Sequence, residues 1–165
     1  MKDAQILRAM REPADYSELF RQRVGKIADR LSQVIGTPVT HDADMNYSSA
    51  QKIKLWLDAK GWAIAPDSPD AEYALIVLIS SKGPYFAYAW LGRDRSQAGS
   101  HWRAHYGADL PEPLWSYAER ITSELKGMGY RPISGPILNE VVEGFLTDMD
   151  QTPATVFQVL FTELL

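Results

Sequence analysis

The feature that most constrains this chain is a seven-residue run, Tyr73-Ala74-Leu75-Ile76-Val77-Leu78-Ile79, whose only side-chain polar atom is one tyrosine hydroxyl. A membrane-spanning helix needs about 20 apolar residues, so the run is far too short to cross a bilayer. Its branched and aromatic residues favour extended chain. A strand with one wet face alternates apolar with polar, whereas one with no alternation needs cover on both faces. Residues 73–79 are therefore expected to form a central strand with helices on the sheet. Runs 72–80 and 85–91, separated by Ser81, Lys82, Gly83 and Pro84, predict an antiparallel hairpin. The resulting expectation is a single domain over residues 1–165, of α/β or α+β class, with a mainly antiparallel four- to five-stranded sheet and helices packed on it.

The other elements follow from periodicity and punctuation. Leu19, Phe20, Val24, Ile27, Leu31, Val34 and Ile35 recur at helical spacing, predicting a helix over 16–35 that starts near Pro13 and Asp15 and stops at Gly36 and Pro38. Residues 37–47 read as a loop. A second helix is expected over 48–60, capped by Ser48 or Ser49 and ended by Gly61, with a short strand at 62–65 and a turn at 66–70. The long polar segment 92–113 leaves room for a strand or helical turn only at 101–106. A third helix follows at 114–126, short strands at 130–133 and 141–146, and a last helix with Thr152 as cap and Pro153 in its first turn.

Composition narrows the function. With 45% hydrophobic and 23% charged residues the chain can build a sizeable core. The absence of cysteine excludes a disulfide scaffold, a thiolate metal site and a cysteine nucleophile. Charged residues interrupt the first 15 positions, so no secretion signal is expected, and the chain reads as a soluble cytoplasmic protein that does not enter a membrane. The net charge of −4 argues against direct nucleic-acid binding. Its distribution says more: residues 1–131 hold 17 basic and 16 acidic side chains, whereas 132–165 hold five acidic and no basic ones.

Three groups could carry function. Arg93, Arg95, His101, Arg103 and His105 form the most enzyme-like cluster. On a helix the two histidines would share a face and could share a metal, with Asp109, His41 or Asp42 as further ligands. The pattern lacks the glutamate of a zincin, and no cofactor or bound metal is expected. The arginines could hold an anion, or simply form ion pairs with the acidic tail. No phosphate-binding glycine loop or nucleophile elbow is present, so no catalytic residue is assigned. The second group is acidic: Glu140, Glu143, Asp148 and Asp150 could form a solvated face or attract a basic partner. The third is the row Phe86, Tyr88 and Trp90, which shares one face of its strand; under a helix it is core, and in the open Tyr88 and Trp90 are interface anchors.

The closing stretch Gly144-Phe-Leu-Thr-Asp-Met-Asp-Gln-Thr-Pro-Ala-Thr-Val-Phe-Gln-Val-Leu-Phe-Thr-Glu-Leu-Leu165, with its PATVFxxLF helix, resembles the tails of small bacterial immunity proteins that neutralise polymorphic or contact-dependent growth-inhibition toxins. The likeness extends to the 73–91 hairpin. It implies a small cytosolic α/β or α+β protein that acts by binding a cognate toxin domain, and it brings no catalytic residue with it. The leading expectation is thus a toxin-neutralising binding protein with Tyr88, Trp90, Glu140, Glu143, Asp148 and Asp150 at the partner surface. The alternatives are a small enzyme or anionic-ligand-binding domain using the 93–105 cluster, and an adaptor domain of a larger assembly.

Overall fold

A computed structural model describes residues 3–95, 101–106, 109–133 and 135–164. Helices α1 (Ala4–Arg11) and α2 (Glu18–Ile35) precede strands β1 (Thr40–Asp42), β2 (Ala50–Asp58), β3 (Ala71–Ser80), β4 (Tyr85–Asp94) and β5 (His101–Tyr106). Then come α3 (Glu112–Gly127), β6 (Arg131–Pro132), a 3-10 turn at Gly135–Asn139, β7 (Val141–Leu146), β8 (Pro153–Thr155) and α4 (Val156–Leu160). Among the described residues, β1 to β5 lie side by side in chain order, all antiparallel, and β6 adds a short parallel pairing to β4 to complete a six-stranded sheet. Strands β7 and β8 form a separate antiparallel pair. The class is α+β.

β3 sits at the middle of this order, as its unbroken apolar run requires, and residues 74–79 are at most 1% exposed. Leu75, Val77 and Ile79 enter a core under α2 and α3 that also takes Ile53, Leu55 and Leu57 from β2. Ile76 and Leu78 enter a second core under α1, α4 and the C-terminal segment. One strand therefore serves two layers, and the described residues form one domain around it.

Several local expectations are corrected. Residues 48–60 are not a helix: from residue 50 they form β2, in which buried Ile53, Leu55 and Leu57 alternate with Lys52, Lys54 and Trp56. Ser48 caps no helix, and its hydroxyl instead donates to the Ala50 and Phe161 carbonyls. The predicted 62–65 strand reduces to a single bridge between Leu57 and Ala63. The 37–47 loop contains β1, held by pairing with β2. Helix α1, not anticipated, begins where the Asp3 carboxylate accepts from the Gln5 and Ile6 amides. At the other end the cap is Thr155 rather than Thr152: Thr155 and Gln158 close a reciprocal capping box, and 153–155 is strand. Of the predicted 92–113 segment, 92–94 continue β4 and 101–106 form the strand for which the segment left room, while 96–100 and 107–108 lie outside the described residues. Helix α2 ends on Gly36 with a left-handed φ of 80°, as its stop signal predicts. Among the described residues no helix is long and apolar enough to cross a membrane.

Candidate interaction surface

Strand alternation decides where the aromatic row goes. Register pairs Ile79, Val77 and Leu75 of β3 with Phe86, Tyr88 and Trp90 of β4, so all three aromatics face α2 and α3. Phe86 is fully buried. The Tyr88 hydroxyl lies 2.9 Å from the Ala118 carbonyl, to which it donates, and 2.8 Å from the Thr122 hydroxyl. Burial pushes its pKa above the ordinary phenol value. Tyr88 is thus an anchor for α3, and it and Trp90 are both half-buried, Trp90 at the upper end of the row.

The arginine and histidine cluster is divided by the same alternation. Trp90, Gly92 and Asp94 pair with His105, Arg103 and His101, placing those three side chains on the face of the sheet that carries α2 and α3. Arg93 pairs with Trp102 and points to the other face, where its guanidinium lies 4.6 Å from the Trp102 ring centre. Arg95, just past the strand, bonds Glu72 at 2.5 Å. Arg95 and Arg103 thus meet Glu72 and Asp94 rather than the acidic tail: Arg103 approaches Asp94 at 3.4 Å, and His101 approaches it at 3.7 Å. His101 and His105 do share a face. In extended chain, however, four residues separate them by about 13 Å, too far for one metal ion. His41 bonds Gln51 at 2.7 Å on β1, and with Asp42 lies at the opposite edge of the sheet. Among the described residues no cluster of three or more potential ligands is placed to hold a metal.

The acidic group stands apart, on the far side of the sheet from Tyr88. Glu140, Glu143, Asp148 and Asp150 are all exposed along the β7–β8 hairpin and its turn. Large apolar side chains are uncovered among them: Val141 at 60%, Leu146 at 56% and Met149 at 51%. A bulge produces the exposure of Leu146. Val142 is buried, so regular alternation would send Leu146 inward with it; Gly144, at a left-handed φ of 89°, breaks the register, turning Phe145 inward and Leu146 out.

The four carboxylates do different work. Asp150 accepts from the Thr147 hydroxyl and from the hydroxyl and amide of Thr152, contacts that hold its pKa below the ordinary carboxylate value. It fastens the turn. Asp148 makes no hydrogen bond through its carboxylate among the described residues, and its own amide is bound by Glu163 at 2.6 Å. The turn borders a crevice of about 150 Å³ lined by Tyr16, Tyr47, Lys82, Leu146, Asp148 and Glu163. Tyr16 and Tyr47 are 70% and 49% exposed. The Lys82 ammonium is drawn back to the Met10 carbonyl at 3.1 Å, and burial lowers its pKa against the opposing pull of Asp148.

The result is a surface assembled from five separate segments, with carboxylates beside uncovered tyrosine, leucine and methionine. Charge asymmetry pointed to Asp148 in advance. Tyr16, Tyr47 and Lys82 carry no local signal, because only the fold brings them together. No family model, curated protein or solved structure matches this chain.

Proposed function

We propose that this chain is a non-enzymatic binding protein that neutralises a cognate bacterial toxin domain in the cytoplasm by protein–protein contact, with the β7–β8 hairpin and its tyrosine-lined crevice as the docking face. One observation carries the reading: Val141, Leu146 and Met149 are uncovered on the same hairpin that exposes Glu140, Glu143, Asp148 and Asp150. Scattered exposed apolar residues are ordinary on any protein, but exposed apolar residues that share one hairpin with carboxylates suit an interaction site. No basic residue follows Arg131, so the hairpin itself carries only negative charge and favours a basic partner, with Lys82 at the edge of the crevice. Carboxylates would accelerate encounter, and buried leucine and tyrosine would set the lifetime of the complex. The resemblance of residues 144–165 to immunity-protein tails supplies the toxin as partner.

The test is co-expression with the toxin domain encoded beside this chain. Wild-type protein is expected to restore growth and to co-purify with the toxin. Leu146→Asp combined with Tyr47→Ser is expected to abolish both while leaving the melting temperature unchanged. Full protection by the folded double variant, or a toxic neighbour that wild type neither binds nor restrains, would overturn the reading.

A further inference from the structure

A second site lies at the opposite end of the molecule's chemistry. Where β3, β4 and β5 lie side by side, a crevice of about 390 Å³ opens among Tyr73, Trp90, Asp94, Arg95, Arg103 and His105. Its shape depends on a missing side chain. Gly92 lies in register between Tyr73 and Arg103, and a Cβ there would come within 2.9 Å of the Trp90 ring. The indole therefore leans over Gly92, between His105 and Tyr73. It stacks on the His105 imidazole at 3.8 Å and 7° and meets the Tyr73 ring at 6.3 Å.

The polar groups around this shelf are short of acceptors. Arg95 gives its Nε to Glu72 and Arg103 reaches Asp94 at the long distance of 3.4 Å, leaving most of the N–H groups on these two guanidiniums to solvent. The Arg103 side chain is 64% exposed. The Trp90 Nε1–H is buried and has no acceptor among the described residues. Guanidinium forks and an imidazole on one crevice wall, beside the stacked Trp90 ring, form a set of donors that fits oxyanion oxygens.

We propose that this crevice binds a small molecule through a phosphate or carboxylate group, with Arg103 and His105 on the oxyanion and the Trp90 and Tyr73 rings flanking the rest of the ligand. The cavity has the size of a small-molecule pocket rather than of a bare ion. The site is independent of the docking hairpin and shares no residue with it.

The experiment follows the indole N–H resonance of Trp90 by NMR, assigned by its loss in Trp90→Phe. Inorganic phosphate, phenyl phosphate and benzoate are titrated against wild type, with benzyl alcohol and sodium chloride at matched ionic strength as blanks. At least one oxyanion probe is expected to move the Trp90 resonance saturably while neither blank does. Phenyl phosphate against benzoate then distinguishes a phosphoryl from a carboxylate ligand. Arg103→Gln, at an exposed position, is expected to weaken binding by about tenfold, the usual loss for one charge-assisted contact. No movement with any oxyanion, equal movement with chloride or benzyl alcohol, or unchanged affinity in Arg103→Gln would overturn the proposal.

Discussion

On β4, Phe86 and Tyr88 are closed over from one side by α3, and the one hydroxyl among them is bonded to that helix. On β7, Val141 and Leu146 stand mostly in solvent among carboxylates. Judged by side chains alone, the aromatic strand is the better interface and the acidic tail the better solvated edge. The fold reverses the aromatic half of that ranking. Pairing and cover decide which apolar groups remain available, and the strand richest in aromatics is also the one that repays covering most. What stays open is a hairpin whose register is broken at Gly144.

That contrast can be broken by mutation, beginning with the deepest position. Ile76→Ala, in the strand serving both cores, should lower unfolding free energy by about 2 to 5 kcal/mol in a urea titration. Tyr88→Phe should cost about 1 kcal/mol, by removing a donor to Ala118, and should leave partner binding intact. A binding defect there without a stability defect would return β4 to the interface. Gly144→Ala should cost about 1 kcal/mol, because a side chain at left-handed φ is strained, and should also weaken binding by disturbing the exposure of Leu146. Leu146→Ser should change stability by less than about 0.5 kcal/mol. A loss as large as that of Ile76→Ala would make the hairpin a core element.

The acid response of the turn sharpens the same distinction. The Asp150 carboxyl is held below its ordinary value, so its contribution is complete above about pH 4 and is lost as pH falls through its lowered value in the folded chain. Amide exchange at Thr152 is expected to accelerate, relative to its intrinsic rate, on acidification below that point, and Asp150→Asn should produce the fast exchange already at neutral pH. Unchanged protection in both cases would show that Asp150 does not fasten the turn. Functional tests of surface charge are therefore better made at Asp148 and Glu143 than at Asp150.

Much of the architecture was legible because it is written in continuous patterns. The unbroken run in β3, the Gly-Pro break before β4 and the spacing of Leu19 to Ile35 each specify an element without help from elsewhere. The misreading of β2 has a definite cause. Ser48, Ser49 and Gly61 resemble helix punctuation, yet Lys52-Ile53-Lys54-Leu55-Trp56-Leu57 has period two through Leu55, and pairing with β3 selects the strand. The Thr155 and Gln158 box was equally present in the sequence but competes with Thr152, three residues earlier. Candidate sites were less legible. Asp148 followed from charge, and the common face of His101 and His105 from their spacing, but a strand places them at a separation a helix would not. The meeting of Tyr16, Tyr47 and Leu146 depends on contacts distant in sequence, for which one chain offers no local mark.

The most direct test of the docking face compares two exposed apolar positions on different surfaces. Leu146 lies on the hairpin and Trp115 on α3, at 56% and 55% exposure. Leu146→Asp and Trp115→Asp variants, each confirmed to be folded, are titrated against the neighbouring toxin domain by calorimetry. Leu146→Asp is expected to weaken binding by at least about thirtyfold, the scale of an interface anchor, and Trp115→Asp to leave it within about twofold of wild type. Strong binding retained by Leu146→Asp, with loss in Trp115→Asp, would contradict the hairpin assignment and move the partner surface to α3.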